Sequence, residues 1–262
     1  MVEKLLIHLI IKDYDVIAMV NPPVPISVDE IRFKVSVIEN YLHSPETLVA
    51  GVNFEPKLVE TKNGDKIVFR LAKREEAPVI LKTLKQLIDP KYDKDLYHLV
   101  AARTYAEVLA WSQYRYKDEY VIIGVLGNEL IGVWNARMLN KDICISLHSI
   151  TFKRLSRIGL AGYLAKIEHA FENLGAKEWW ATFESPFGFR LGMYLRHFMK
   201  PYPEVQHELG GSPVFYFTKD DWETLVKKDP FYQPYLGKRP VPEDLLQESY
   251  KLQPPSKFEI EI

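Results

Sequence analysis

Asp142-Ile-Cys-Ile-Ser-Leu-His-Ser-Ile-Thr-Phe-Lys-Arg-Leu-Ser-Arg-Ile-Gly-Leu-Ala-Gly162 is the stretch on which the reading of this 262-residue chain turns. Its first half, Asp142 to Phe152, is rich in β-branched and apolar residues and predicts a strand. A short basic connection with Lys153, Arg154 and Arg157 follows, and then Gly159, Ala161 and Gly162 open a helix. Small residues let a ligand approach the backbone closely, and the unsatisfied N–H groups and dipole of a helix N-terminus attract an anion. This is how a pyrophosphate is held.

Working outward, Leu160, Leu164, Ile167, Phe171 and Leu174 recur at steps of four, three, four and three, with Gly175 as the stop, so a long amphipathic helix follows the connection. Upstream, Lys66 to Leu71 predicts a strand, and Lys73 to Ile88, with Pro78 tolerated near its start, a helix. A second helix is expected from Asp95 to Tyr114. Tyr120 to Leu126 and Glu129 to Met138 then complete an antiparallel meander with the 142–152 strand, joined by the Gly127-Asn128 and Asn140-Lys141 turns. Downstream, Lys177 to Phe183 reads as a buried strand whose adjacent Trp179 and Trp180 face opposite sides, Phe189 to Phe198 as a helix, and Pro213 to Thr218 as a last strand.

These elements occupy residues 66–218, a domain flanked by two appendages. Residues 1–65 predict a strand-turn-strand from Lys4 to Val20, then a helix from Asp29 to Leu42, with a boundary at the Asn63-Gly64-Asp65 turn. Residues 219–262 hold six of the seventeen prolines. Their aromatics Trp222, Phe231, Tyr232 and Tyr235 suit a tail packed on the domain, with helices near 221–227 and 242–250.

With 34 Lys and Arg against 35 Asp and Glu, the chain has no global positive field, so nucleic acid is not an expected partner. Cys144 is the only cysteine, which excludes an intramolecular disulfide and a thiolate metal cluster and fits a reducing cytoplasm. No long uninterrupted apolar run predicts a membrane span.

Ser156-Arg157-Ile158-Gly159-Leu160-Ala161 resembles the acyl-CoA motif of the GNAT (GCN5-related) N-acyltransferase superfamily: Arg or Gln, two residues, Gly, one residue, then Gly or Ala. It matches at Gly159 and Ala161 and departs at Ser156. The order strand, helix, helix, three-strand meander, motif helix, strand, helix, strand is also the family's. The resemblance implies an α+β fold with a mixed, mostly antiparallel central sheet between helices, and acetyl-CoA or another acyl-CoA as co-substrate. The expected activity is direct acyl transfer to an amine acceptor without a metal. A non-catalytic acyl-CoA-binding or regulatory module on the same fold is the alternative, and a scaffold or homodimer without cofactor a third reading.

The same resemblance places Ser156, Arg157, Ile158, Gly159, Leu160, Ala161 and Gly162 at the pyrophosphate. Ile150 and Thr151 would pair with the pantetheine arm, and Ser185 would lie beside the acyl group. Tyr194, in a stretch similar to the family's Leu-Tyr-x-x-x-Gly-Phe, becomes the acid for the departing thiolate. His148 and Glu184 are the two candidate bases. Each has an ordinary structural alternative: glycine and alanine packing tightly, a core tyrosine, a hydrogen-bonded strand histidine, a surface carboxylate. His169, His197 and Cys144 carry no ligand or nucleophile pattern.

Overall fold

The computed structural model describes residues 48–115, 118–154, 157–183, 185–194, 200–206 and 213–260. The chain divides between Thr47 and Leu48, and the strands and helix expected before residue 47 lie outside the described residues.

Among the described residues, eight strands form one sheet. In chain order they are β1 (Lys57–Glu60), β2 (Lys66–Leu71), β3 (Glu119–Leu126), β4 (Glu129–Met138), β5 (Ile143–Thr151), β6 (Glu178–Ala181), β7 (Lys200–Gln206) and β8 (Pro213–Thr218). Their order across the sheet is β1-β2-β3-β4-β5-β6-β8-β7, and every pair is antiparallel except β5 with β6. The helices are α1 (Ala77–Lys85), α2 (Tyr97–Ser112), α3 (Ile158–Glu168), α4 (Pro186–Tyr194), the short α5 (Lys219–Asp221) and α6 (Glu243–Ser249). Wider π turns extend α3 through His169–Asn173 and α5 through Trp222–Val226.

The two faces of the sheet bury different cores. Ile122, Trp134, Ala136 and Cys144 pack under α3 with Leu164, Phe171 and Phe217. Val121, Ile123, Val133 and Ile150 pack under α1 and α2 with Ile80, Leu84 and Val108. This alternation follows from the two-residue period of a strand covered on both sides, and it makes β3 and β4 almost continuously apolar.

Three expectations change. The boundary at residue 65 falls inside a hairpin, because Lys57–Glu60 pairs with Lys66–Leu71 across the Gly64 turn (φ +85°) and so joins the domain's sheet. The edge strand Lys200–Gln206 is not among the expected strands; Pro201, Pro203 and its charged residues hide its period, and its pairing with β8 creates it. The helix expected to start at Phe189 begins at Pro186, where proline suits the first turn; residues 195–199 lie outside the described residues.

The tail is anchored at several points. Arg70, fully buried in β2, binds both oxygens of Glu76 (2.8 and 2.5 Å) and the Ser249 carbonyl (2.5 Å), while Tyr250 stacks on Arg70 and Lys73. Gln253 and Glu259 form parallel bridges to Glu129 and Lys153.

Candidate active site

The central feature is where β5 and β6 part. Their parallel pairing covers only Ile143 to Ile145 opposite Glu178 to Trp180. Beyond Ile145, β5 runs on to Thr151 while the chain after Ala181 turns away into α4. A cleft open to solvent lies there, between Ser146–Ser149 on one wall and Thr182, Phe183, Ser185 and Gly188 on the other. Tyr163 of α3 and Val100 of α2 complete it.

The same stretch of β5 carries a bulge. Trp134 pairs with Ser149 and Ala136 with Ser146, so Leu147 and His148 together stand opposite Asn135. Such an extra residue re-aims side chains. Here it presents His148 to the cleft. His148 Nδ1 lies 2.6 Å from Glu107 Oε1, and its backbone N–H donates to Glu107 Oε2 at 3.2 Å. Asn135 Nδ2 donates to Glu107 Oε2 (2.7 Å) and to Glu119 Oε1 (3.0 Å), so one amide bridges two buried carboxylates. Burial pushes the Glu119 carboxyl well above the usual range, with the nearby Glu107 charge adding to it.

On the other side of β5, Lys166 of α3 is 0% exposed and donates to the carbonyls of Asn135 and Leu147 (3.1 Å each) and the hydroxyls of Ser146 and Ser149 (2.8 Å each). Burial lowers this lysine to about 7, and its four acceptors hold the bulge from beneath. Neither Glu107 nor Lys166 is a candidate in the sequence. Glu107 sits in an otherwise ordinary helical pattern, and Lys166 stands where a solvated lysine is the usual reading.

At the far end of β5 stands the N-terminus of α3. Arg157 caps it in the left-handed region (φ +63°) without a side-chain cap, and Ala161 N–H donates to the Arg157 carbonyl (3.0 Å). The N–H groups of Ile158, Gly159 and Leu160 therefore head the helix. Among the described residues, a Cβ on Gly159 would meet only Thr151 Cγ2, at 3.9 Å.

Other candidates are reassigned. Gly162 is a packing residue, since a Cβ would come within 2.2 Å of the Trp134 indole. The side chains of Ile158, Leu160 and Ala161 are buried in the core, which leaves only their backbone for a ligand. The Arg157 guanidinium stacks on Phe231 of the tail (4.6 Å), and Lys153 is ion-paired with Glu129. Because Phe152 N–H donates to the Ile131 carbonyl, strand alternation aims the backbone of Ile150 at β4 and that of Ser149 and Thr151 at the opposite edge. Ile150 thus spends its N–H and C=O on the sheet, and the Thr151 carbonyl accepts from the Tyr97 hydroxyl. Ser185 lines the cleft and its hydroxyl accepts from Gly188 N–H (2.9 Å). Ser156 and Glu184 lie outside the described residues, as does the side chain of Tyr194 at the end of α4. Among the described residues no cluster of three or more His, Cys, Asp or Glu is placed to hold a metal, and no helix is long and apolar enough to cross a membrane.

No family model matches the sequence, and no curated protein matches it. Among solved structures the chain is similar to FdhC, described as a nucleotide-linked sugar GNAT, at 16% identity over 71% of this chain and 100% of that one, with a TM-score of 0.47. It is similar to the PaiA N-acetyltransferase of Thermoplasma acidophilum in complex with coenzyme A at 13% identity, over 58% and 98% of the two chains (TM-score 0.40). The SpeG spermidine N-acetyltransferase of Vibrio cholerae is similar at 9% identity, over 61% and 98% (TM-score 0.43). By its own element order and its mixed, mostly antiparallel sheet between helices, the described chain has the GNAT fold.

Proposed function

We propose that this protein is an acyl-CoA-dependent N-acyltransferase that passes an acetyl group from acetyl-CoA to an amine acceptor by direct attack. The parting of β5 and β6 after Ile145 carries this reading. It opens a cleft at Ser146–Ser149 while the head of α3 stands at the other end of the same strand, roughly 13 Å from Leu147 to Thr151 at the rise of an extended chain. An acyl-CoA is long, thin and anionic in its middle. Its pyrophosphate suits the N–H groups of Ile158, Gly159 and Leu160, its arm suits the open edge at Ser149 and Thr151, and its thioester then lies in the cleft.

His148 takes the proton of the acceptor amine, whose lone pair forms the C–N bond as the C–S bond breaks. The CoA thiolate leaves and is protonated, a role the family resemblance gives to Tyr194. Glu184 remains the second candidate base from that resemblance. The lone cysteine and balanced charge go with a cytoplasmic setting.

Calorimetry with acetyl-CoA tests the reading, comparing the wild type with Gly159→Glu, which places bulk and negative charge at the pyrophosphate. Micromolar binding by the wild type, about -8 kcal/mol, and none by the folded variant is the expected result. No binding of acetyl-CoA or longer acyl-CoAs by the wild type removes the acyltransferase reading. Binding without CoA release across a broad amine panel points instead to a non-catalytic acyl-CoA-binding module.

A further inference from the structure

We infer that the Ser149 hydroxyl donates a hydrogen bond to the carbonyl oxygen of the bound thioester, and that Lys166 behind it is the positioning residue that turns its proton to the cleft. This deepens the acyltransferase reading and rests on it. Ser149 lines the cleft at the end of the wall from which β5 runs on toward the head of α3. Its side chain lies on the α3 face of the sheet, where Lys166 Nζ donates to Oγ at 2.8 Å. Among the described residues no other group bonds to that hydroxyl.

Three of the four partners of Lys166 can only accept. The carbonyls of Asn135 and Leu147 (3.1 Å each) carry no proton, and the Ser146 hydroxyl (2.8 Å) gives its own to the Leu147 carbonyl at 3.1 Å. Three acceptors call for three N–H groups, which the ammonium has and the neutral amine lacks. Ser149 Oγ then shares one of these N–H groups, as a three-centre bond allows. An ammonium has no lone pair, so the Ser149 proton cannot point back at it and faces the cleft. Burial lowers this lysine to about 7 and Glu107 of α2 raises it in part, while Cys144 of β5 and Tyr163 of α3, both pushed up to about 12 by burial, are neutral. Below pH 7 the donor is therefore in place. A hydroxyl that accepts from a cation is polarised into a stronger donor. As the amine lone pair forms the C–N bond, the C=O pair moves onto oxygen and the Ser149 hydrogen bond tightens. When that pair returns, the C–S bond breaks and its electrons leave on sulfur.

Infrared spectroscopy of acetyl-CoA carrying carbon-13 at the acetyl carbonyl, bound to the full chain at pH 6, tests this without turnover. The wild type should hold the carbonyl stretch below that of the same thioester in a solvent without donors. Ser149→Ala should raise it, with acetyl-CoA affinity changed by less than about tenfold. Lys166→Met, which frees the hydroxyl to turn from the cleft, should raise it too. A wild-type stretch as high as in the donor-free solvent overturns the inference, and that spectrum is decisive even if neither variant folds. An unchanged stretch in Ser149→Ala overturns it equally; if acetyl-CoA and free CoA lose affinity alike in that variant, the hydroxyl serves the pantetheine arm instead. A folded Lys166→Met with the wild-type stretch overturns the role given to the lysine. Calorimetry on the same samples separates the two questions: a wild type that binds no acyl-CoA removes this inference together with the acyltransferase reading, whereas binding with an unmoved stretch removes this inference alone.

Discussion

Lys166 and Glu107 hold opposite ends of a single peptide group. The Lys166 ammonium donates to the Leu147 carbonyl at 3.1 Å, and the Glu107 carboxylate accepts from the next residue's N–H, that of His148, at 3.2 Å. One side chain comes from α3 and the other from α2, helices packed on different cores of the sheet. The bulge that aims His148 is therefore clamped by two buried ionisable groups, and a bulge left to itself is a weak point in a ladder.

The lysine end of this clamp makes stability depend on pH. Burial lowers Lys166 from 10.5 to about 7, so above pH 7 the unfolded chain keeps a proton that the folded chain releases. The penalty of the buried charge is full below about pH 7, eases as pH rises and vanishes above about 10.5. Urea unfolding of the wild type and Lys166→Met between pH 6.5 and 9.5 should show the wild type gaining on the variant, by up to about 1.4 kcal/mol per pH unit. A constant difference would mean that Lys166 does not change its protonation there.

Two glycines three residues apart on α3 should separate packing from binding. Gly162→Ala drives a methyl group into the Trp134 indole and should cost about 2 to 3 kcal/mol in urea unfolding. Among the described residues Gly159→Ala meets only Thr151 Cγ2, in ordinary contact, and should leave stability unchanged or raise it by up to about 1 kcal/mol, while lowering acetyl-CoA affinity in calorimetry. Equal destabilisation by both would contradict this division.

The tail should loosen when its anchor is cut. Arg70→Met leaves the Glu76 carboxylate buried without its cation and the Ser249 carbonyl without its donor. A loss of about 3 to 5 kcal/mol is expected for a broken buried pair, together with faster proteolysis within residues 240–260. Wild-type cleavage rates in that segment would show that the tail is held elsewhere, for example through Lys57, whose ammonium pairs with Glu168 and also donates to the Tyr235 carbonyl.

The sequence by itself determined the local elements and much of their order. Its periods identify β2, β4 and β8 to the residue and place the amphipathic α3 after a strand and a basic connection. Those features are written in neighbouring residues, where a two-residue or 3.6-residue period is visible. Tertiary structure alone decided the rest. Whether Gly162 faces a ligand or an indole depends on where Trp134, 28 positions away, is brought. Which backbone groups of β5 face the cleft depends on its pairing with β4, which commits Ile150 to the sheet. Glu107 reaches His148 across 41 residues, and Lys166 finds four acceptors on β4 and β5. No period encodes such partners, because a charged side chain reads the same in sequence whether it ends in water or in the one buried site that satisfies it.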